Sequence, residues 1–429
     1  MYEKERIISI ISIWILLSAT IPLTGAEQQL LPTYVNDQDI INMIHQIDES
    51  LVFKYLEELT SYGPRYTNSI SCVLAGDYIF REFQKMGLET EFHDWEVGKY
   101  SSRNIVATLP GGDPSSNAEI LFTAHYDTVK GAPGANDDGS GVAAIMAAAQ
   151  IMGQFTFRHT IRFIAFSGEE VGTYGSFSYA KDAYRNGDNI YAVINPDIIG
   201  YADSIEGGRT INFMCPERSL WITNFAKNVS AKYRAHVDMM IESRPNYIGA
   251  DHQPFYDYGY DGVWIAHHDS YRWGHTPDDI VENLNRTYET KATQFLMAVV
   301  AELAIKPLEV QLVLTAPYEG YGYIMDRPVF KLDLPKRWYQ GLRGMTLIVG
   351  RAVARVDIYT EHDIENVVYC IDGNFIKWIS KPPFDWRIEG KHYPPIGRHI
   401  LSVYVYTKNG YVAYDEMEMN IYTLKCQYG

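Results

Sequence analysis

The sequence predicts an α/β domain with a mainly parallel mixed sheet flanked by helices, followed by an all-β domain. Three observations lead to this prediction. Strand-like and helix-like segments alternate through residues 36–305, helical spacing then stops, and short strand-like runs separated by turn signals occupy residues 309–429. Alternating strands and helices are typical of a sheet covered by helices on both faces, whereas closely spaced short strands are typical of a β-sandwich. We therefore expect two domains with these limits, the second of them immunoglobulin-like in size.

The helices of the first domain follow from apolar residues at helical spacing. Gly87 ends one such segment and suits a helix C-cap. The predicted helical segments are 37–60, 69–87, 139–152, 175–184, 220–233 and 287–304. The strand-like segments among them are NIVATLP, EILFTAHYD, TIRFIAFS, IYAVINPD, TINFMC and DGVWIAHH.

The second domain follows from period-2 patterning and turn dipeptides. Leu401, Val403 and Val405 alternate with less apolar residues, as in a half-buried strand. Asn409-Gly410 is a strong hairpin signal. Sequence leaves two roles open for this domain: an accessory unit that packs on or spaces the first domain, or a module that binds substrate or polymer.

Composition limits the partners, and the N-terminus indicates export. The chain has 429 residues, 46% of them apolar and 21% charged, and a formal net charge of −16. Such acidity argues against nucleic acid or an anionic membrane surface as a partner, because both require a basic surface.

Residues 1–26 combine Lys4 and Arg6 with a long apolar run that ends in Gly25-Ala26. This pattern predicts a cleaved signal peptide and a secreted or extracytoplasmic protein. The alternative is an uncleaved membrane anchor.

The spacing of the four cysteines argues against a thiolate metal site. None of Cys72, Cys215, Cys370 and Cys426 lies in a CxxC pair. In an exported protein a disulfide is permitted, and Cys370 and Cys426 both fall in strand-like segments near the C-terminus. We expect these two to pair and Cys72 and Cys215 to be buried thiols.

Polar side chains that can bind a metal follow several predicted strands where each strand ends. The carboxyl ends of parallel strands meet at one edge of a sheet, so we expect these side chains to converge. Two histidines and three carboxylates form a donor set that suits zinc. The five predicted metal ligands are His125, Asp137, Glu170, Asp197 and His275.

The neighbours of these ligands suggest a division of labour. Adjacent residues of a turning chain point in different directions, so Glu170 can bind metal while Glu169 reaches a metal-bound water. A metal lowers the pKa of water from 15.7 toward about 7, and a free carboxylate then takes its proton. Asp127 lies two residues after His125 and could accept a hydrogen bond from its other ring nitrogen.

Each motif alone has a simpler explanation. NDDGSG suits a turn and a helix N-cap, GEE suits a solvated surface, and His275-Thr276 suits a helix start. An HxD pair is more often a local hydrogen bond than a metal site. The occurrence of all these motifs in order, most of them at strand ends, favours a metal centre.

Six motifs, in this order along the chain, resemble those of the co-catalytic di-zinc aminopeptidase family. They are AHYD, NDDGSG, FSGEEVGTYGS, NPDIIGY, ADHQPFYDYGYDGVW and WGHTPDD. The family's wider relatives include glutamate carboxypeptidase, glutaminyl cyclase and the transferrin receptor. The resemblance covers about residues 40 to 305. It implies a zinc exopeptidase-like fold and two zinc ions per chain, with Co²⁺ or Mn²⁺ as substitutes.

The resemblance also implies a role for each site residue. His125 and Asp197 would bind one zinc ion, Glu170 and His275 the other, and Asp137 would bridge the two. Glu169 would be the general base, and the peptide bond between Asp137 and Asp138 would be cis. One departure is Gly274, which stands where some relatives have a tyrosine that stabilises the tetrahedral intermediate. Tyr247 and Tyr271 are candidate replacements.

The predicted function is therefore that of an exported zinc aminopeptidase acting on peptides through a metal-activated water. Two alternatives remain open. A carboxypeptidase of the same fold needs basic groups for a terminal carboxylate, and Arg244 or Arg272 could supply them. A non-catalytic, receptor-like binding protein would be expected to have lost ligands. Glutaminyl cyclase fits less well, because NDDGSG and GEEVG are those of a two-metal peptidase.

Overall fold

The structure is a computed structural model that describes residues 34–114, 116–245, 249–307, 310–317, 320–331, 346–360, 362–388 and 396–422. The predicted signal peptide, Tyr247 and Cys426 lie outside the described residues, so the expected disulfide is not covered. Cys72 and Cys215 are buried thiols, as expected. Among the described helices, none combines the length and apolarity needed to cross a membrane.

The helices agree with the predicted segments except near the N-terminus and for one short helix, His252–Asp257, which was not predicted. The segment 37–60 forms two helices, because Asp48 accepts a hydrogen bond from the Leu51 amide at 2.9 Å and starts a new helix. Asn36 caps the preceding helix in the same way. The α-helices are α1 (Asp37–Gln46), α2 (Glu49–Thr60), α3 (Ile70–Lys85), α4 (Gly141–Met152), α5 (Tyr174–Asn186), α6 (Leu220–Tyr233), α7 (His252–Asp257) and α8 (Arg286–Ile305).

The first sheet has eight strands, with parallel strands at its centre. Its strands are β1 (Glu89–Val97), β2 (Tyr100–Leu109), β3 (Glu119–His125), β4 (Thr160–Phe166), β5 (Ile190–Pro196), β6 (Thr210–Cys215), β7 (Met240–Pro245) and β8 (Gly262–His267). They lie in the order β1-β2-β4-β3-β5-β8-β6-β7. Neighbouring strands are parallel from β4 through β3 and β5 to β8, and again between β6 and β7. The mixed, mainly parallel sheet is confirmed.

The outermost strands of this sheet, β1 and β7, were not predicted. In β1 only Trp95 is buried, and β7 has no buried residue. Edge strands are half-exposed, so their sequences lack the apolar runs by which the central strands were found.

Helices cover both faces of the sheet. A large buried cluster includes α4 and α8 on one face, and a smaller one around Phe166, Tyr179 and Phe255 lies on the other.

The remaining described strands form two further sheets. Their strands are β9 (Gln311–Ala316), β10 (Tyr321–Ile324), β11 (Arg327–Lys331), β12 (Thr346–Val349), β13 (Ala352–Tyr359), β14 (Ile364–Ile371), β15 (Asn374–Ile379), β16 (Trp386–Ile388), β17 (Gly397–Thr407) and β18 (Val412–Tyr422). One sheet has the order β11-β10-β12-β18-β17-β14-β15 and the other β16-β13-β9. Both contribute to one buried cluster that contains Leu312, Trp386 and Val403. This part is all-β; its immunoglobulin-like topology and the domain limits stay predictions.

The loop after β3 is held by a buried arginine. Arg65 is fully buried, and its guanidinium donates to the carbonyls of Tyr126, Pro133 and Gly134 at 2.7, 2.6 and 2.9 Å. Its amide donates to the Thr128 hydroxyl at 2.9 Å. A long loop without secondary structure must find partners for its carbonyls, and here one side chain supplies them.

We predict that Arg65→Met lowers the free energy of unfolding by about 3 kcal/mol, because buried carbonyls left without a donor cost about 1–3 kcal/mol each. Urea denaturation of the variant and the wild type measures this loss. Arg234→Met is the matched control, since the Arg234 side chain is 68% exposed. An equal effect of the two substitutions would contradict the role given to Arg65.

We also predict that a chain ending after Pro307 stays soluble and unfolds cooperatively. The two clusters around the first sheet use residues up to Ile305 only, and the third begins at Val310. Domain boundaries fall where few contacts cross. Size-exclusion chromatography and thermal melting beside the full chain test this. Aggregation of the shortened chain would mean that the β-rich part covers apolar surface of the first domain.

Candidate metal centre

The predicted ligands converge at the carboxyl edge of the parallel strands. His125 is the last residue of β3, and Asp197 directly follows β5. Glu169 and Glu170 lie in the turn between β4 and α5. Asp137 lies in the turn before α4, and His275 lies in the loop beyond β8. The register of β4, β3, β5 and β8 therefore brings distant segments of the chain to one place.

Asp137 stands between the two histidines. Its Oδ1 lies 3.2 Å from His125 Nε2, and its Oδ2 lies 3.0 Å from His275 Nε2. On the first side, Asp197 Oδ1 lies 3.7 Å from His125 Nε2. On the second side, Glu170 Oε2 lies 3.3 Å from His275 Nε2. One carboxylate thus offers one oxygen to each of two groups of side chains.

These spacings fit tetrahedral zinc. Zinc bonds of about 2.0–2.2 Å place neighbouring tetrahedral ligand atoms about 3.3–3.5 Å apart, and the four distances between 3.0 and 3.7 Å bracket that edge. Glu170 Oε1 is buried without a hydrogen-bond donor among the described atoms. A buried carboxylate oxygen in this position requires a cation or a proton. The residues present therefore suit two metal ions.

The His125 ring is oriented by a backbone carbonyl. His125 Nδ1 lies 3.1 Å from the Asp127 carbonyl oxygen and 3.8 Å from the Asp127 carboxylate. The His125 ring therefore bonds to the Asp127 carbonyl and not, as expected, to the Asp127 carboxylate. Because a carbonyl only accepts, Nδ1 carries a hydrogen, and Nε2 is the ring nitrogen that faces Asp137 and Asp197. A ring nitrogen that faces two carboxylates has either a proton or a metal ion between them.

The Asp127 carboxylate instead fixes the turn that carries Glu169. Its Oδ1 accepts from the Glu169 amide at 3.1 Å, and its Oδ2 accepts from the Thr67 hydroxyl at 2.7 Å. The Glu169 carbonyl accepts from the amides of Gly172 and Thr173, each at 2.9 Å. Asp127 therefore determines where the backbone of Glu169 lies.

Asp138 is also close to His125 and Asp197, but its oxygens are engaged elsewhere. Potential ligand atoms of these three residues lie within 4.8 Å of one another. Asp138 accepts from the amides of His125, Gly141 and Ile198 at 3.2, 2.9 and 3.3 Å. Three backbone donors satisfy this carboxylate, so we assign the bridging position to Asp137. The peptide bond between the two aspartates is cis, as expected.

The glycine at position 141 allows this arrangement. A Cβ atom there would lie 2.5 Å from both Asp138 carboxylate oxygens and 2.6 Å from the Pro196 carbonyl. No side chain fits at those distances, so glycine is required for the close approach of the α4 N-terminus to Asp138. This accounts for the second glycine of NDDGSG.

Sequence reasoning missed Asp279, the last residue of WGHTPDD. Asp279 is buried, and its Oδ1 accepts from the Asn136 amide at 2.8 Å and from the Tyr271 hydroxyl at 2.6 Å. Its Oδ2 accepts from the Asp137 amide at 3.1 Å. Asp279 thus ties the loop of His275 to the backbone of Asp137. Since Tyr271 gives its hydrogen to Asp279, its hydroxyl is not free to donate to a substrate oxyanion.

Sequence reasoning also missed Asp251, in the motif ADHQPF. Asp251 is buried; it accepts a hydrogen bond from Ser176, and its other oxygen has no donor among the described atoms. Burial raises the pKa of Asp251 to about 7, and the nearby Asp127 and Asp197 carboxylates act in the same direction. A signal existed, because this aspartate lies directly before a short helix and the strand β8.

Burial and mutual repulsion change the pKa values of the carboxyl groups in this centre. Burial and then the Asp137 charge raise the pKa of Glu170 to about 7. Burial, and further the carboxylates of Asp251, Asp197 and Glu170, raise the pKa of Glu169 well above its usual range. Burial also acts to raise the pKa of Asp137, but hydrogen bonds with both histidines outweigh it and lower that pKa. A dication would offset the repulsion that these shifts reflect.

Comparison with known proteins agrees with this geometry. Residues 104–300 match the sequence profile of peptidase family M28. Over 285 residues the chain is 25% identical to a protein of Trichophyton verrucosum named "Probable leucine aminopeptidase", and the match covers 62% of this chain and 74% of that protein.

Solved structures share the fold of the first domain. LapB of Legionella pneumophila superimposes with a TM-score of 0.57 at 24% identity, covering 64% of this chain and 79% of that one. The zinc aminopeptidase BSAP of Bacillus subtilis gives a TM-score of 0.54 at 15% identity, covering 60% and 95%. The match to the family M28 profile therefore spans the segment that holds all five predicted ligands, and that segment is similar to this family.

Proposed function

We propose that this protein is a zinc-dependent aminopeptidase that binds two zinc ions per chain. The observation that carries the proposal is the Asp137 carboxylate, which offers one oxygen to the His125 side and one to the His275 side. His125 and Asp197 would hold one ion, Glu170 and His275 the other, and Asp137 both. The leucine aminopeptidase relative supports peptides as substrates.

Bound zinc would lower the pKa of a water molecule and polarise the scissile carbonyl. Glu169 would accept the proton of the attacking water and deliver it to the leaving amine. The Glu169 amide donates to the Asp127 carboxylate, and the carboxylate of its neighbour Glu170 faces His275. Glu169 is thereby left as the one glutamate of the pair whose carboxylate is not directed at a histidine in the described contacts.

The surroundings of Arg244 and Arg272 favour an aminopeptidase over a carboxypeptidase, because each of these arginines already contacts another side chain of the protein. Arg244 lies 3.4 Å from Glu242, and the Arg272 guanidinium stacks 4.5 Å above the Trp273 ring. The carboxyl-rich centre itself suits the free amine of a substrate N-terminus, whereas a terminal carboxylate would meet like charge. A receptor-like, non-catalytic protein is disfavoured because all five ligand residues and Glu169 are present.

We further propose that the protein is exported, on the basis of the charged and then apolar pattern of residues 1–26. Outside the reducing cytosol, the predicted pair Cys370 and Cys426 could form a disulfide. None of the three described cysteines belongs to the groups of residues that could hold a metal ion.

We predict that the purified protein contains two zinc-class ions per chain and hydrolyses leucyl substrates. Dialysis against a chelator should abolish hydrolysis, and added Zn²⁺ or Co²⁺ should restore it, because the metal both activates water and neutralises Asp137, Glu170 and Asp197. Elemental analysis and turnover of leucyl-p-nitroanilide check both statements, with an N-blocked peptide as the control substrate. Full activity in a metal-free preparation would exclude the proposed mechanism.

We predict that Glu169→Gln and Asp137→Asn fail in different ways. Glu169→Gln should retain metal and lose roughly 10²–10⁴-fold in kcat, as expected for removal of a general base. Asp137→Asn should instead lower the metal content, because it weakens the only carboxylate that faces both histidines in the described part of the chain. Glu282→Gln, at an exposed glutamate, is the control for both. Near-normal turnover by Glu169→Gln would mean that another residue is the base.

A further inference from the structure

The outer face of the seven-stranded sheet carries aromatic side chains in one row. Val368 of β14 lies directly opposite Trp378 of β15 on one side and Tyr404 of β17 on the other. Tyr404 in turn lies opposite Tyr414 of β18. Residues directly opposite in neighbouring strands point to the same face of a sheet. These four residues, which we call the aromatic row, therefore cross four strands side by side.

The aromatic row faces solvent. Leu401, Val403 and Val405, which alternate with Tyr404 along β17, are buried in the core of the β-rich part. Trp378 is 62% exposed and Tyr414 is 55% exposed. The rings of Tyr404 and Tyr414 lie 5.6 Å apart at 25° to one another. A tryptophan and two tyrosines held on a rigid sheet and exposed to water form a surface of the kind that marks a binding site.

The shape of the row suits stacked sugar rings. Three strand spacings of about 4.8 Å make the row roughly 14 Å long, enough for several sugar units in line. A pyranose ring presents an apolar face of C–H groups and a rim of hydroxyls. Aromatic faces cover the former, and tyrosine hydroxyls both donate to and accept from the latter.

The charges around the row restrict the partner further. The two flanking rows contain Phe375, Cys370, Ser402 and Glu416 on one side and Asn366, Tyr406 and Val412 on the other. Among these described positions and the aromatic row itself, Glu416 is the one ionic side chain. None of these positions offers a cation to an anionic polymer or an acidic membrane, and the chain as a whole carries a net charge of −16. A neutral polymer of sugars needs no counter-charge and fits this surface.

We propose that the aromatic row binds a neutral polysaccharide. Trp378, Tyr404 and Tyr414 stack against successive sugar rings, and Asn366, Ser402 and the tyrosine hydroxyls supply hydrogen bonds. The β-rich part then holds the first domain against an insoluble matrix. This proposal concerns binding only and does not depend on the proposed peptidase activity.

The test is co-sedimentation of the full-length protein with insoluble chitin, cellulose and β-1,3-glucan. We expect the protein to pellet with at least one of them, to stay bound in 1 M NaCl, and to be released by soluble oligosaccharide of the same polymer. Trp378→Ala and Tyr414→Ala, made separately, should each weaken binding at least about tenfold, because each removes an exposed ring that a bound sugar would cover. Phe330→Ala is the matched control: Phe330 is 41% exposed on β11, at the opposite edge of the same sheet.

Thermal melting of each variant shows whether it is folded, and competition by oligosaccharide tests the wild type without any substitution. Three results would overturn the proposal. The wild type could remain in the supernatant with all three polymers. Binding could persist equally in Trp378→Ala, Tyr414→Ala and Phe330→Ala. Light scattering could show a wild-type dimer that Trp378→Ala converts to a monomer without any polymer binding, in which case the row is an interface between two copies of the chain.

Discussion

The crowding of carboxyl groups at one edge of the first sheet is the constraint on which this structure depends. Two imidazoles, His125 and His275, share that edge with the side chains of Asp127, Asp137, Asp138, Glu169, Glu170, Asp197 and Asp251. Buried like charges repel one another and lose hydration, so each carboxyl group needs a donor, a proton or a cation. The folded chain satisfies them in two different ways.

One set of carboxylates is satisfied by backbone amides. Asp138 receives three of them, Asp279 receives those of Asn136 and Asp137, and Asp127 receives that of Glu169. Hydrogen bonds from N–H groups to a carboxylate are charge-assisted and fix geometry closely. These aspartates therefore join the loops after β3, β4, β5 and β8 into one rigid rim. The other set, Asp137, Glu170 and Asp197, contacts the histidines and is left available for metal.

The sequence predicted the second set more completely than the first. His125, Glu170 and Asp197 could be found because each follows an apolar strand, and the parallel register brings strand ends together. Asp279 and Asp251 could not be found in this way, because they follow no strand directly and their partners lie in distant segments: the amides of Asn136 and Asp137 for Asp279, and the Ser176 hydroxyl for Asp251. The strands β1 and β7 were missed for a different reason. Edge strands have little buried surface, so their sequences lack a clear apolar pattern. The break between α1 and α2 depended on a single capping residue, Asp48.

The link between the two parts of the chain lies at the edge of the sheet opposite to the metal centre. His159, directly before β4, accepts from the Ser116 hydroxyl at its Nδ1 and donates from Nε2 to the Lys306 carbonyl, both at 2.6 Å. Its amide donates to the Ala304 carbonyl at 2.9 Å. The seven residues of β4 then run roughly 20 Å to the Glu169 turn. Because β4 begins at the linker and ends at the carboxyl-rich rim, the linker and the predicted metal ligands lie at opposite ends of this strand. The chain therefore leaves the first domain about one strand length away from the residues that would hold zinc.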